Sequence, residues 1–357
     1  MKILTVVGAR PQFVKAAAVS RELRLHPLIQ EIILHTGQHY DDKMSEVFFR
    51  EMDIPKPFLN LEIHASTHGD MTGQMLIGIE KALVKEKPDA VLVYGDTNST
   101  LAGALAASKL QIKLIHVEAG LRSFNMAMPE EVNRILTDRI SDLLCCPTDQ
   151  SLLNLKAEGF DTFGSAVVKT GDVMQDAAMF YSERSAAHST IVKSLSFEKY
   201  ILCTLHRQEN TDDPIRLKNI IEAINEIHKQ ISVVLPIHPR TKKRLEATGL
   251  VLECKTIEPV GYFDMIELIK HSSLVMTDSG GLQKEAYFFS KLSVTLRDET
   301  EWIELVENKF NSLAGADKQK IVAMVNDSLN RKFAAGSDLY GGGKASSIIV
   351  EAIKKYI

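Results

Sequence analysis

The chain has 357 residues, longer than the roughly 250–300 at which a single core usually divides, so two domains are expected. Hydrophobic residues make up 45% and charged residues 25%, and 42 lysines and arginines against 46 aspartates and glutamates leave a net charge of −4, with no electrostatic reason to bind nucleic acid or an anionic membrane. No apolar run approaches the ~20 residues of a bilayer span, and the apolar start is cut off by Gly8-Ala9-Arg10, too soon for a secretion signal. Four cysteines without CxxC or zinc spacing (Cys145, Cys146, Cys203, Cys254) fit reduced thiols of a cytoplasmic protein.

In chain order, short and nearly continuous apolar runs fall at residues 3–7, 32–35, 90–94, 114–117 and 143–146. Each precedes a loop with Gly, Asp or His and then a helical pattern. A polar, small-residue stretch at 182–196 changes the texture, and further runs follow at 200–205, 233–237, 274–277 and 293–296. Unbroken apolar runs suit parallel strands covered on both faces. The expected fold is α/β: two Rossmann-like domains with parallel sheets facing a central cleft, over residues 1–170 and 171–344, and the stretch 344–357 reads as a helix after a glycine run.

Doubly wound folds bind ligands at the carboxyl ends of their strands, so the polar residues there matter most. After the first run comes Gly8-Ala9-Arg10-Pro11-Gln12: Gly8 permits a tight turn, Pro11 suits a helix start, and Arg10 offers a two-pronged donor to phosphate. Gly95-Asp96-Thr97 follows the third run. Glu118-Ala119-Gly120-Leu121-Arg122 follows the fourth and leaves a carboxylate and a guanidinium at its tip. Pro129-Glu130-Glu131 then opens a helix, where the macrodipole alone favours acids. Each acid taken singly reads as structural. Gathered at loops and helix starts in one half of the chain, they suggest an acid/base cluster.

The second half carries a different pattern. His206-Arg207 and His238-Pro239-Arg240 follow successive runs and point to anion binding. In Thr277-Asp278-Ser279-Gly280-Gly281-Leu282-Gln283-Lys284-Glu285 a strand ends, glycines let backbone N–H groups approach a ligand, and a helix begins, which reads as a phosphate cradle with Glu285 in reach of a ribose. A GxGxxG after the first run is missing, Gly341-Gly342-Gly343-Lys344 lacks P-loop spacing, and no HExxH or Cys/His set stands out. Neither a dinucleotide cofactor nor a metal is expected. A nucleotide sugar would suit both halves.

At these residues the chain resembles the non-hydrolysing UDP-N-acetylglucosamine 2-epimerases. The matching motifs are Gly8-Ala9-Arg10-Pro11-Gln12, His35-Thr36-Gly37-Gln38-His39, Gly95-Asp96-Thr97, Glu118-Ala119-Gly120-Leu121-Arg122 and Pro129-Glu130-Glu131 with Asn133-Arg134. Gly171-Asp172-Val173, His206-Arg207 with Glu209-Asn210, Asp278-Ser279-Gly280-Gly281 with Glu285, and Gly343-Lys344-Ala345-Ser346 continue them in order. The resemblance implies a GT-B fold whose helix at 345–357 returns to pack on the first domain, a cytoplasmic homodimer, no external cofactor, and a UDP-sugar substrate whose epimer feeds a surface polysaccharide such as a lipopolysaccharide O-antigen. It implies elimination and re-addition of UDP across C1–C2, giving a UDP-N-acetylmannosamine-type product. Asp96, Glu118, Glu130 and His206 carry over as catalytic residues. Arg10, Lys15, His206, Arg207, His238, Ser279, Gly280 and Gly281 carry over as contacts to the UDP-sugar, with Glu285 on the ribose.

Several departures bear on the substrate. Gln12 and Gln208 replace acidic and basic family residues. The segment Ser123-Phe124-Asn125-Met126-Ala127-Met128, with Thr300-Glu301-Trp302 and Tyr340-Gly341-Gly342-Gly343, looks more like the branch acting on UDP-2,3-diacetamido-2,3-dideoxyglucuronate. Residues 40–46 differ from the glutamine-rich patch through which bacterial members bind UDP-GlcNAc as an activator. The alternatives are a hydrolysing epimerase, a GT-B glycosyltransferase and a non-catalytic nucleotide-sugar sensor.

Overall fold

A computed structural model describes residues 1–38, 54–65, 67–334 and 338–357, with Arg10 described by its backbone alone. The motif residue His39 and the segment 40–46 lie outside the described residues. Contacts divide the chain into two units, Met1–Met179 with Asp338–Ile357, and Phe180–Ser337. None of the helices among the described residues is long and apolar enough to cross a membrane.

In the first unit the strands are β1 (Lys2–Val7), β2 (Gln30–His35), β3 (Leu59–Asn60), β4 (Ala90–Tyr94), β5 (Lys113–Val117), β6 (Leu143–Cys146) and β7 (Ala166–Lys169). They form a parallel sheet in the order β3-β2-β1-β4-β5-β6-β7. The winding direction reverses between β1 and β4, whose Ile3 and Ala90 are register partners. Leu4, Val6, Val91 and Val93 are fully buried, as strands covered on both faces require. The helix Asn98–Lys109 after β4 is rich in alanine and carries Gly103, and this lets it lie close on the sheet at the reversal. A Cβ on its Gly103 would sit 3.1 Å from Val93 and 3.2 Å from Val6.

The second unit repeats the plan with β8 (Tyr200–Thr204), β9 (Ser232–Pro236), β10 (Lys255–Ile257), β11 (Leu274–Thr277), β12 (Ser293–Thr295) and β13 (Asn311–Leu313), ordered β10-β9-β8-β11-β12-β13. Its reversal lies between β8 and β11, where Thr204 and Thr277 are partners whose hydroxyls meet at 2.6 Å. Both sheets therefore offer the crevice at which open α/β folds bind ligands.

The texture change near 182–196 begins on the last two turns of a helix, Val173–His188, within which the sequence passes from the first unit to the second. Just before it, Gly171 lies against the returning chain: its N-terminal neighbourhood is so tight that a Cβ would come 2.6 Å from the Tyr340 carbonyl, and the Asp172 amide donates to that carbonyl at 2.8 Å. Gly171 and Gly341 both have positive φ (82° and 93°), a backbone that glycine adopts without strain. The Asp176 carboxylate accepts from the amides of Ala345 (3.1 Å) and Ser346 (2.7 Å) and so caps the last helix, Ala345–Tyr356. That helix packs on Arg10–Leu23.

Candidate active site

In the first unit the turn after β1 is built from groups with no spare room. A Cβ on Gly8 would collide with Thr36 Oγ1 and Ser99 Oγ, two hydroxyls already bonded to each other at 2.8 Å. Gln12 lashes this turn to the end of β4: its Oε1 accepts from the amides of Gly8 (2.8 Å) and Ala9 (3.0 Å), and its Nε2 donates to the Tyr94 carbonyl and Thr100 Oγ1, both at 3.0 Å. Gln38 Oε1 accepts from the Ser99 amide and hydroxyl at 3.0 and 2.7 Å.

Glu118 stands just past β5 with φ of 74°, a left-handed backbone that side-chain-bearing residues avoid. Its amide and that of Ala119 both donate to the Cys145 carbonyl, at 3.1 and 3.0 Å. Its carboxylate forms an ion pair with Lys15, each side chain 9% exposed. Both charged tips lie 3.1 Å from where a Cβ on Gly95 would be, which places Glu118 and Lys15 beside the turn that carries Asp96.

Asp96 pairs with Arg134, and Arg134 Nη1 donates at 2.8 Å to Glu131. Fully buried, Glu131 also accepts from the Ser123 amide (3.0 Å) and hydroxyl (2.9 Å) and from the Phe124 amide (2.9 Å), so it braces the loop before its own helix. Glu130, next in sequence on the helix Pro129–Ile140, is exposed. One expectation is corrected. The Arg122 guanidinium does not stand at a loop tip: it is 2% exposed and donates to Asp138 at 2.7 Å and to Glu158 at 2.6 and 2.8 Å. Burial alone would raise the Asp138 carboxyl. The hydrogen bond and charge of His116 and the Arg122 guanidinium instead hold it below the usual range.

In the second unit Asp278 is the organising group. Fully buried after β11, its Oδ2 accepts from the amides of His206 and Arg207, both at 2.8 Å, and its Oδ1 lies 3.1 Å from His206 Nδ1. Burial pushes this carboxyl up, and the hydrogen bond and charge of His206, with the two amides, outweigh it and hold the group below its usual value. The His206 ring, 39% exposed, lies 5.7 Å from that of His238. His238 Nδ1 accepts from the Arg240 amide at 3.2 Å and caps the helix Pro239–Thr248, so one edge of its ring is committed to the fold. Arg207 is half-buried and enters this cluster through its amide.

Ser279 precedes the helix Gly280–Phe288 and makes no side-chain cap bond there. Gly280 is buried, with no room for a Cβ against Glu301 Oε1, and Gly281 is exposed. Glu285 lies further along the same helix at 7% exposure. The structure thus gathers Lys15, Asp96 and Glu118 at one reversal, with Arg10 in the adjoining turn. It gathers His206, Arg207, His238, Ser279, Gly280 and Gly281 near the other. Sequence reasoning overlooked the bracing roles of Glu131 and of the His116–Asp138 pair. A histidine inside the otherwise apolar run Leu114-Ile115-His116-Val117 was the available signal, because a buried ring needs a polar partner.

Two doubly wound parallel sheets, one with carboxylates at its reversal and the other with a glycine-opened helix suited to a diphosphate, define a GT-B-type enzyme of nucleotide sugars. The family model described as UDP-N-acetylglucosamine 2-epimerase matches residues 21–354. Over 356 residues the chain is 56% identical to the UDP-2,3-diacetamido-2,3-dideoxy-D-glucuronate 2-epimerase of Pseudomonas aeruginosa, covering 99% of this chain and 100% of that one. It is 43% identical over 365 residues to the UDP-N-acetylglucosamine 2-epimerase of Methanocaldococcus jannaschii, covering 99% of each. Among solved structures, the Methanocaldococcus jannaschii UDP-GlcNAc 2-epimerase in complex with UDP-GlcNAc and UDP superimposes with a TM-score of 0.93 at 43% identity, covering 99% of this chain and all of that one. The Neisseria meningitidis UDP-GlcNAc 2-epimerase bound to UDP-GlcNAc gives 0.90 at 34% identity, covering 99% of this chain and 100% of its own. The chain belongs to the UDP-N-acetylglucosamine 2-epimerase family, and it is an isomerase.

Proposed function

We propose that the enzyme inverts C2 of UDP-2,3-diacetamido-2,3-dideoxy-glucuronate, yielding the manno-configured uronate. The observation that carries this choice of sugar is the 56% identity over essentially the whole chain to an epimerase of that substrate, against 43% to an epimerase of UDP-GlcNAc. UDP-GlcNAc is the second reading, favoured by the family model and by the superposition on a UDP-GlcNAc complex.

The C2 proton has no carbonyl beside it and is not acidic on its own. Its removal has to be coupled to breaking the C1–O bond: a base takes the proton, the C2–H electrons form the C1–C2 double bond, and the diphosphate leaves with the C1–O pair. Returning UDP to C1 while a proton is delivered to the other face of C2 restores the sugar as its epimer. Such a path needs a base, an acid and donors for the departing diphosphate. We assign the proton transfers to Asp96, Glu118 and Glu130, with Arg10 and Lys15 as cations on the substrate. His206, Arg207, His238 and the amides of Ser279, Gly280 and Gly281 receive the diphosphate, and Glu285 the ribose. Supporting this, Asp96 and Glu118 sit on adjoining turns, each held by a cation, and Asp278 presents His206 at an open helix start. The same reading makes the enzyme a cytoplasmic homodimer in polysaccharide synthesis.

The test is proton NMR in D₂O with each UDP-sugar in parallel. Deuterium at C2 together with the manno epimer is expected from both or from the diacetamido uronate alone, with the uronate turning over faster. Faster turnover of UDP-GlcNAc overturns the choice of sugar, and free UDP accumulating with turnover overturns the retained-intermediate path.

A further inference from the structure

We infer that the buried His116–Asp138 pair is a positioning element that holds the Asp96 turn and the Glu118 turn in one fixed relation. The inference rests on the assignment of Asp96 and Glu118 to proton transfer.

His116 is the penultimate residue of β5, and both it and Asp138 are fully buried. Its Nε2 lies 2.8 Å from the carbonyl oxygen of Gly95, the residue immediately before Asp96. Its Nδ1 lies 2.7 Å from Asp138 Oδ1. Both neighbours are oxygen atoms, so the ring bridges a main-chain carbonyl and a carboxylate. The other oxygen of Asp138 accepts from the Gly120 amide at 3.1 Å and from Arg122 Nη1 at 2.7 Å. One carboxylate and one ring thus span from the carbonyl that precedes Asp96 to the amide two residues after Glu118.

The Glu118 turn needs such a clamp. Its φ of 74° is a backbone that a residue with a side chain leaves unless its surroundings fix it. From its N-terminal side the turn is held by the Cys145 carbonyl, and from its C-terminal side by Asp138. Arg122 extends the clamp to Glu158, tying it to the neighbouring helix Asp149–Ala157 at its C-cap. Neither His116 nor Asp138 has surface to offer a substrate, so their influence on turnover runs through the geometry of the two acids. A misplacement of about 1 Å at reacting groups costs roughly 10²-fold in rate.

The test uses the full-length enzyme with His116→Gln and Asp138→Asn, each measured for kcat, KM and UDP affinity beside Asp96→Asn and Glu118→Gln. In the positioning variants kcat should fall by roughly 10²-fold while KM and the Kd for UDP stay within about twofold, and the calorimetric stoichiometry of UDP binding should stay at the wild-type value, which separates slower turnover from loss of folded protein. Nitrogen-15 NMR of histidine-labelled wild-type enzyme should show a hydrogen-bonded N–H on one buried ring, its signal lost in His116→Gln and shifted in Asp138→Asn. Full kcat in folded His116→Gln and Asp138→Asn, with Asp96→Asn and Glu118→Gln inactive, overturns the positioning role and leaves the acid/base assignment standing. Normal turnover in Asp96→Asn and Glu118→Gln overturns both. Should a variant fail to fold, the wild-type spectrum still decides, because a buried ring without a hydrogen-bonded N–H refutes the pair.

Discussion

Asp278→Ala is expected to destabilise the second unit and weaken nucleotide binding, and Asp278→Asn to do so much less. Alanine leaves the amides of His206 and Arg207 without the acceptor now 2.8 Å from each. A buried donor left unpaired costs about 1–3 kcal/mol, and because both residues are only half-buried, water recovers part of this, so about 2–3 kcal/mol in total is expected. Asparagine keeps one acceptor oxygen for the two amides, and about 1 kcal/mol is expected. The single tryptophan of the chain, Trp302, lies in the second unit at 3% exposure, so its fluorescence in a urea titration reports that unit. Because the folded state holds the Asp278 carboxyl below its usual value, its contribution is complete above the ordinary aspartate value near 4 and is lost as pH falls through the lower folded value. The gap between wild type and Asp278→Asn should therefore be full at neutral pH and close only in acid below about pH 4. UDP affinity should fall about tenfold in the alanine variant, equivalent to about 1.4 kcal/mol. Equal midpoints for alanine and asparagine, or a gap that widens in acid, would refute this account of the carboxylate.

Further expectations follow from the same geometry. Asp96→Asn and Glu118→Gln should each lower turnover by about 10²–10⁴-fold with UDP still bound, as calorimetry would show; turnover near normal in both removes them from proton transfer. Gly8→Ala forces a methyl into Thr36 and Ser99, which should cost about 1–3 kcal/mol and lower the first thermal transition by circular dichroism; an unchanged transition means that the turn can shift. Glu285→Ala should weaken UDP binding about tenfold while kcat at saturation is kept, and an unchanged Kd rejects the ribose contact.

Burial on two faces decided which strands could be read from sequence. The nine apolar runs correspond to the nine interior strands, β1, β2, β4, β5, β6, β8, β9, β11 and β12, with ends differing by a residue or two. The strands that went unread are β3, β7, β10 and β13, which are the outermost strands of both sheets, short and only partly covered. An edge strand needs no continuous apolar run, and its residues read as loop. That Asp96 and Glu118 stand just past strands was legible because each follows an unbroken apolar run. Arg122 misled because a guanidinium after a strand looks available until a partner 16 residues further on claims it. The pairing of His116 with Asp138, 22 residues apart, is a property of packing and leaves no local pattern beyond a histidine among aliphatic residues.

Asp338–Ile357 completes the first unit only after the whole of Phe180–Ser337 has been made, and this sets an order of events during synthesis. Met1–Met179 emerges from the ribosome without Asp338–Ile357, the segment whose helix covers Arg10–Leu23 and takes its cap from Asp176. At translation rates of ~5–20 residues per second the incomplete unit waits roughly 9–35 s for that helix. Phe180–Ser337, continuous in sequence, has every strand of its sheet on hand earlier. The half that begins last is thus free to finish first, and the surface awaiting the final helix stays exposed meanwhile. A chain cut short just ahead of Ala345 would then fail in the unit that begins at Met1, far from the lesion in sequence.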